Sequence, residues 1–197
     1  MKATLIDSPV ANTANIARAL RAAGAELHVT RDAAEIANAG KLVLPGVGAF
    51  IAARQWLRET GIDIAIADAV ARGAFLLGIC VGHQMLFETS EEIESTRGLA
   101  LVRGEVRRFD GVLPVPQIGW NRVTLRGALF DGIADGTPFY FVNSYAVRAA
   151  EDEIATAGYN GPFTAAVQRK RVFGVQFHPE KSSTAGLRVL RNFIACK

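Results

Sequence analysis

Cysteine is scarce in this chain, which has only Cys80 and Cys196 among its 197 residues. Two cysteines allow at most one disulfide, so the sequence excludes a disulfide-rich secreted scaffold and favours a reducing, cytoplasmic setting. The three histidines are scattered, and with two cysteines they give no metal-ligand spacing. We therefore expect neither a metal nor another cofactor.

Long apolar runs and a strong excess of charge are also missing. No stretch approaches the roughly 18 apolar residues that cross a bilayer, and residues 1–7 are interrupted too early for a secretory signal. The net charge is +3, and the one dense basic run, Arg169-Lys170-Arg171, lies between apolar stretches and is typical of a hairpin turn. We expect no membrane partner and no nucleic-acid partner.

The chain is rich in what a globular core needs, since half of its residues are hydrophobic. Its length suits one domain, residues 1–197. In the first half, strand patterns alternate with helix patterns, which predicts right-handed βαβ units. The predicted strands there are 3–6, 26–30, 42–44 and 74–79, and the predicted helices are 16–23, 50–58, 62–71 and 81–88.

The second half has short strand patterns separated by Gly and Pro turns. The predicted strands are 105–109, 122–125, 139–142, 153–157, 164–168 and 172–177. A closing helix over 183–195, with Ser182 or Ser183 as its N-cap, completes the chain. Together the two halves predict an α/β fold, with a doubly wound, mostly parallel central sheet, helices on both faces and added antiparallel strands.

The first chemical motif is Gly78-Ile79-Cys80-Val81-Gly82, which follows an apolar run and opens a predicted helix. It is the cysteine version of the nucleophile elbow, in which a strand turns abruptly into a helix and strains the backbone of the nucleophile. Side chains two residues to either side would clash, which accounts for the glycines. The helix N-terminus stabilises a thiolate. A buried structural cysteine is the alternative interpretation.

The second motif, Gln176-Phe177-His178-Pro179-Glu180, leaves the last predicted strand. Residues i and i+2 of an extended chain point to the same side, so Glu180 can orient the ring of His178 toward Cys80. A structural histidine is the alternative, but ligands bind open α/β sheets at the carboxyl ends of strands. The sequence therefore predicts a catalytic triad of Cys80, His178 and Glu180.

The third motif, Pro45-Gly46-Val47-Gly48, directly follows the predicted strand 42–44. Small residues there allow backbone N–H groups to approach a reacting carbonyl. We predict an oxyanion hole formed by the backbone at Val47 and Gly48 and by Val81, the residue after the nucleophile. Glycine-rich loops are frequent in α/β proteins, so this motif is informative only together with the other two.

In combination, residues 78–84 and 177–180 resemble the class I glutamine amidotransferases. The likeness extends over nearly the whole chain to one branch of that family, whose members form a heterodimer with a (β/α)8-barrel cyclase of histidine biosynthesis. The segments that carry this closer likeness are residues 45–50, 118–121, 139–142, 176–182 and 186–193. The resemblance implies a flavodoxin-like fold and L-glutamine as the substrate.

The resemblance also implies roles for individual residues. Cys80 attacks the side-chain amide of glutamine, His178 acts as base and then as acid, and Glu180 orients His178. The residues implied in glutamine binding are Gly46, Gln84, Asn143, Ser144 and Tyr145, and those implied to face the cyclase are Asn12, Trp120 and Lys181. The ammonia passes to the cyclase. We expect the backbone N–H groups of the oxyanion loop, residues 45–48, to point away from the reacting carbonyl until that partner binds.

The chain departs from the family pattern at several positions. After the first strand the family usually has Asp-Tyr-Gly-x-Gly-Asn, and here the segment is Asp7-Ser8-Pro9-Val10-Ala11-Asn12. His83 stands where this branch more often has Met, and Gln117 and Asn143 each replace a usual His. None of these changes removes a triad member, so we expect the chemistry to be retained. They concern how glutamine is held and which partner is served.

Other functions fit parts of the pattern. An amidotransferase subunit could serve a different ammonia-dependent synthase, which the neighbouring gene would reveal. A catalytically silent regulatory subunit would keep the fold, but an intact Cys80, His178 and Glu180 argues against it. A stress-type hydrolase or chaperone with an elbow cysteine lacks the His-Pro-Glu at a strand end. We assign His28 a structural or surface position, and we assign no role to Cys196, which lies next to the terminus.

Overall fold

The computed structural model describes residues 1–197 and contains thirteen strands, six α-helices and two 3-10 turns. The strands are β1 (Lys2–Ile6), β2 (Glu26–Thr30), β3 (Lys41–Gly46), β4 (Phe75–Cys80), β5 (Thr89–Ser90), β6 (Thr96–Arg97), β7 (Glu105–Arg108), β8 (Gln117–Leu125), β9 (Pro138–Asn143), β10 (Tyr145–Val147), β11 (Glu153–Gly158), β12 (Pro162–Arg169) and β13 (Val172–Val175). The α-helices are α1 (Thr13–Ala22), α2 (Ala33–Ala37), α3 (Phe50–Glu59), α4 (Ile62–Ala71), α5 (Val81–Gln84) and α6 (Ser183–Ala195), and the 3-10 turns are Ala128–Phe130 and Pro179–Lys181.

Nine strands form the central sheet, in the order β2-β1-β3-β4-β13-β12-β11-β8-β9. The first five are parallel to one another. From β13 onward each neighbour is antiparallel. The predicted α/β fold, a doubly wound parallel sheet extended by antiparallel strands, is confirmed.

Helices cover both faces of this sheet. The chain steps from β1 to β2 through α1, and then back across β1 to β3 through α2. Because crossovers between parallel strands are right-handed, the reversal puts α1 and α2 on opposite faces. The closing helix α6 packs against α1, and α4 packs against α2 and α3. The carboxyl ends of β3, β4 and β13 therefore meet at one edge, where the site lies.

The core is one cluster of 53 buried hydrophobic residues. β3 is buried along its whole length, and β4 at all but its first residue. Such continuous apolar runs are expected for parallel strands that are covered on both faces. None of the helices combines the length and the apolar character needed to cross a membrane.

The helix after Cys80 ends at Gln84, so its predicted extent to residue 88 is wrong. Residues 85–87 are all buried, but their carbonyl groups accept from a later loop: Leu99 N–H donates to Met85 (2.7 Å) and Leu101 N–H to Leu86 (2.8 Å). Those carbonyls are no longer available for a continuing helix. Burial at successive positions is common to a buried helix and a buried loop, and the sequence pattern did not separate them.

Several elements were missed from the sequence. These are α2, the short strands β5, β6 and β10, and the first five residues of β8. β10, β7, β5 and β6 form a separate four-stranded sheet. The start of α2 did carry a signal, because Asp32 is its N-cap and accepts from the N–H groups of Ala34 and Glu35. The predicted turn at Arg169-Lys170-Arg171 is confirmed between β12 and β13.

Candidate active site

Cys80 sits where β4 turns directly into α5. Its φ of 54° and ψ of −110° lie outside the regions that non-glycine residues favour. A Cβ at Gly78 would lie 2.4 Å from the carbonyl oxygen of Gly82, and one at Gly82 would lie 2.0 Å from that of Leu44. Both glycines are thus required by close backbone approach, and the turn has the geometry of a nucleophile elbow.

His178 and Glu180 lie just beyond β13, around the 3-10 turn that begins at Pro179. His178 Nδ1 is 2.9 Å from Glu180 Oε1, and both side chains are buried. Ser182 fixes this loop to β9: its hydroxyl donates to the carbonyl of His178 (2.7 Å) and accepts from the N–H of Tyr140 (3.0 Å). Ser182 precedes α6 as its N-cap residue, but its side chain makes no capping hydrogen bond.

The surroundings of His178 determine its protonation. Burial by itself would lower the pKa of the imidazole, but hydrogen bonds to Cys80 and Glu180, together with their negative charges, raise it to about 10. Because Glu180 holds Nδ1 of the ring, Nε2 is the nitrogen left for Cys80, which lines the same cavity. An imidazolium held beside a sulfur atom is suited to stabilise a thiolate and to donate a proton to a leaving group.

The loop after β3 approaches the elbow closely. A Cβ at Gly46 would lie 2.8 Å from the N–H nitrogen of Gly82. The next residue, Val47, donates its N–H to the carbonyl of Val10 (2.8 Å), so this donor is already used within the protein. Gly48 has a φ of 81°, a left-handed conformation that favours glycine. Val81 is the first residue of α5, where N–H groups have no acceptor within the helix.

A cavity of about 460 Å³ opens above Cys80. It is lined by Asn12, Val47, Gly48, Cys80, Val81, Gln84, Glu92, Pro116, Val142, Asn143, Ser144, Tyr145, His178 and Lys181. The structure thus brings together eleven of the residues singled out from the sequence. Glu180 lies behind His178, and Gly46 belongs to the oxyanion loop but is not part of the lining.

Trp120 is outside the cavity, with its side chain largely exposed. Its ring contacts Tyr140 edge-on, with a centroid separation of 6.0 Å. Lys181 Nζ lies 5.7 Å from the centroid of the same Tyr140 ring. Asn12 caps α1 by accepting from the N–H of Asn15. Lys181 and Asn12 line the cavity, so Lys181 connects the exposed aromatic pair with the cavity.

Sequence reasoning missed Glu92, Pro116 and Val142 in the lining. Glu92 is the carboxylate of the cavity wall, and its Oε2 accepts from the N–H of Phe50 at the start of α3 (2.6 Å). It lies on an irregular loop of several acidic residues, where no periodicity or motif distinguishes one from the next. Only the chain path shows which of them faces the cavity.

Buried amides form a connected network beneath the cavity. Gln84 Nε2 donates to Gln176 Oε1 (2.9 Å) and to the carbonyl of Tyr145 (3.0 Å). Asn143 Nδ2 donates to the same carbonyl (3.0 Å). Gln176 Nε2 points at Cys80 Sγ (3.9 Å). Gln117 faces Asn143 across β8 and β9, and each of these two residues has a buried side-chain oxygen without a hydrogen-bond partner.

His83, another departure from the family pattern, is fully buried under the elbow. Its ring packs edge-on against Phe87, with a centroid separation of 5.1 Å, and neither ring nitrogen has a hydrogen-bond partner. Burial lowers the pKa of His83 to about 3, so the ring is neutral. Gly174 provides the space, since a Cβ there would lie 2.3 Å from the Nδ1 of His83.

The other departure, residues 7–12, lies beside the oxyanion loop. Ser8 is buried, and its hydroxyl accepts from the N–H of Val10 (3.3 Å). This contact shapes the turn from which the Val10 carbonyl reaches Val47.

Comparisons with known proteins agree with this geometry. Residues 4–196 match the family model "Glutamine amidotransferase class-I". The chain is 47% identical over 193 residues to the "Imidazole glycerol phosphate synthase subunit HisH" of Moorella thermoacetica, which covers 96% of this chain and 92% of that protein. It is 44% identical to the protein of the same name from Caulobacter vibrioides, with 96% of both chains covered.

Solved structures share the fold at low identity. A crystal structure of a glutamine amidotransferase superposes with a TM-score of 0.78 at 20% identity, covering 97% of this chain and 96% of that one. The structure of PurLQS from Thermotoga maritima superposes with a TM-score of 0.73 at 18% identity, covering 98% and 97%. The match over residues 4–196, with relatives above 40% identity, shows that the chain belongs to the class I glutamine amidotransferase family.

Proposed function

We propose that this chain is the glutaminase subunit of an imidazole glycerol phosphate synthase. It hydrolyses glutamine to glutamate and ammonia, and a cyclase subunit uses the ammonia to make imidazole glycerol phosphate and AICAR in histidine biosynthesis. The observation that carries the proposal is the buried Cys80–His178–Glu180 arrangement on a nucleophile elbow. The names and the 44–47% identity of the relatives support the pathway.

The reaction follows from the groups around Cys80. Its thiolate attacks the side-chain amide carbon of glutamine and forms a tetrahedral intermediate. His178, protonated on the nitrogen facing Cys80, donates that proton to the departing nitrogen, so ammonia leaves and a γ-glutamyl thioester remains. His178 then takes a proton from water, and the hydroxide attacks the thioester. The C–S bond breaks, which restores the Cys80 thiolate beside protonated His178, and the product acid releases its proton and leaves as glutamate. Glu180 holds the ring in the required orientation throughout.

The cavity suits a free amino acid. The Glu92 carboxylate is a partner for an α-ammonium group, and Phe50 N–H holds its Oε2 in place. Both hydrogen-bond acceptors of Gln84 Nε2 are within the protein, which leaves its Oε1 to face the ligand. Asn143, Ser144 and Tyr145 complete the glutamine site from the cavity wall, and Gly46 supports the loop beside it. A zwitterion with a neutral amide side chain matches this mixture of charged and amide groups.

The resting oxyanion loop supports partner-dependent activity. One of the three expected donors, the N–H of Val47, is used in a hydrogen bond to the Val10 carbonyl. The loop must turn before this donor can reach the developing oxyanion, and a lost donor costs about 10²- to 10³-fold in rate. Asn12 and Lys181 line the same cavity and connect it to the surface that carries Trp120. Binding of the cyclase at that surface turns the loop.

The test is glutamate release from glutamine, with and without a histidine-pathway cyclase subunit and its nucleotide ligand. We expect slow release by the chain alone and strong stimulation by the liganded cyclase, with the cyclase alone as the blank. Full activity of the free chain would contradict the inference that the Val47 N–H must be reoriented by the partner. Release that ignores the cyclase would indicate an amidotransferase for another synthase, and no release under any condition would indicate a silent regulatory subunit.

Replacing Trp120 by alanine is expected to weaken binding of the cyclase about 30-fold or more, because an exposed tryptophan at an interface centre contributes about 2 kcal/mol or more. Trp120 is 55% exposed and packs against Tyr140. Fluorescence or calorimetric titration with the cyclase measures the change. Ile64→Ala is the matched control, since Ile64 is even more exposed than Trp120 but lies on α4, and it should leave the affinity unchanged. Equal affinities for wild type and Trp120→Ala would exclude this surface.

A further inference from the structure

Gln176 is a fully buried amide beside the nucleophile, and the mechanism above gives it no part. It follows β13, whose last residue, Val175, pairs with Ile79 of β4. One residue further along, Gln176 lies next to Cys80. Gln176 and His178 are two positions apart in extended chain, so both side chains point to the same side, toward the thiol. Phe177, between them, packs into the core against Phe139, with a centroid separation of 4.2 Å.

Both ends of the Gln176 side-chain amide form hydrogen bonds, and together these bonds allow only one orientation of the amide. Its Oε1 accepts from Gln84 Nε2 (2.9 Å), which fixes the Nε2 end toward Cys80. The only hydrogen-bond partner of Gln176 Nε2 is Cys80 Sγ, at 3.9 Å. Gln84 is itself held by the carbonyl of Tyr145 (3.0 Å), so the donor cannot turn away without breaking a buried network.

The hydrogen bonds of Cys80 differ between its two protonation states. As a thiol, Sγ donates to the carbonyl of Val142 (3.8 Å). As a thiolate it has no hydrogen to donate and needs donors instead. Gln176 Nε2 and the His178 ring are the donors within reach. A donor to a charged acceptor contributes more than a donor to a neutral one, so Gln176 favours the thiolate.

We propose that Gln176 is a positioning residue for the nucleophile: it donates to Sγ of Cys80, stabilises the thiolate, and is held in that orientation by Gln84. This inference rests on the proposed glutaminase function, because Gln84 would then both contact the glutamine substrate and hold the Gln176 amide in place. Gln84 is the fourth residue after Cys80 in the chain and lines the same cavity. The hydrogen bonds therefore run in one chain from the substrate-facing Gln84 through Gln176 to the nucleophile.

The test measures Cys80 itself, without any need for activity. The rate of alkylation by iodoacetamide is followed from pH 5 to 10, and the Cys80 peptide is quantified by mass spectrometry. In Gln176→Met the midpoint of the pH profile should move upward by about one to two units, the value of one charge-assisted hydrogen bond. At pH values below the midpoint the rate should then fall about 10- to 100-fold. Cys196 in the same digest is the internal standard and should not change.

Two further variants separate positioning of the nucleophile from support of the substrate site. Gln84→Met leaves the donor on Gln176 but removes its anchor, so we expect a smaller shift of the midpoint and a raised KM for glutamine. Gln176→Asn keeps a polar amide but is one methylene too short to reach Sγ, and should shift the midpoint in the same direction as Gln176→Met. Gln168→Met, at the half-buried end of β12 and away from the cavity, is the matched control for the substitution itself.

The other titratable groups near the thiol are the same in all four variants: His178 with Glu180 behind it, Glu92, Lys181 and Tyr145 around the cavity, and His83 beneath α5. A wild-type midpoint in Gln176→Met would overturn the proposal. So would equal shifts in Gln176→Met and Gln84→Met, since Gln176 would then serve only to hold Gln84. Absence of glutamate release by the wild type would contradict the proposed function and leave the alkylation result standing.

Discussion

Replacing Cys80 by alanine is expected to reduce glutamate release, with the cyclase present, by about 10³-fold or more. The substitution removes the only nucleophile at the elbow, and the remaining groups have no covalent route to replace it. His178 and Glu180 can still polarise a water molecule, but the elbow holds no atom within bonding reach of the amide carbon. The measurement is steady-state release of glutamate at saturating glutamine, together with cyclase affinity.

Cys196→Ala is the matched control, because Cys196 is half-buried at the end of the last helix, outside the cavity, and its thiol donates to the carbonyl of Asn192 (3.4 Å). It should retain wild-type activity. The affinity for the cyclase should be the same in Cys80→Ala and wild type, since Cys80 is buried in the cavity. Substantial activity in Cys80→Ala would mean that the reaction uses water directly, and the covalent mechanism would be wrong.

The parallel half of the fold and the nucleophile elbow were predictable because their signals are local. A run such as residues 75–79 of β4 is apolar throughout and short, and it ends at the turn glycines around Cys80, a combination that favours a strand buried on both faces. Gly78 and Gly82 flank Cys80 at the two positions where any side chain would collide with backbone. Steric requirements between neighbouring residues can therefore be recognised in the sequence as glycines at fixed positions.

The rest of the site depends on contacts between distant segments, which leave no such trace. Glu92 faces the cavity because its loop folds back onto the start of α3. Gln176 reaches Sγ because β13 lies next to β4, although the two strands are about half the chain apart. The direction of the Val47 N–H depends on where the turn at Val10 places one carbonyl. Each is a tertiary outcome, and a single sequence carries no pattern for it.

His83 should make the protein sensitive to acid. Its pKa is lowered by burial from 6.5 to about 3 in the folded chain, so between these values the unfolded chain binds a proton that the folded chain does not. The neutral His83 ring therefore costs no stability above pH 6.5, and the free energy of unfolding decreases as the pH falls from 6.5 toward 3. At pH 5 the loss from this one residue is about 2 kcal/mol. His178 acts in the opposite window, because its raised pKa stabilises the folded state below pH 6.5 and loses that effect as the pH rises through about 10.

Replacing His83 by methionine should therefore flatten the pH dependence of stability. Urea unfolding of both proteins at pH 5 and pH 7.5 gives the free energies of unfolding, and we expect the variant to gain about 2 kcal/mol over wild type on going from pH 7.5 to pH 5. Methionine fills a similar volume beside Phe87 and has no ring nitrogen to leave without a partner. His28→Gln is the matched control, because the ring of His28 is exposed and paired with Glu35 at the surface, and it should keep the wild-type slope. Identical slopes for wild type and His83→Met would show that the buried ring is protonated in the folded chain, with an acceptor that stabilises its charge.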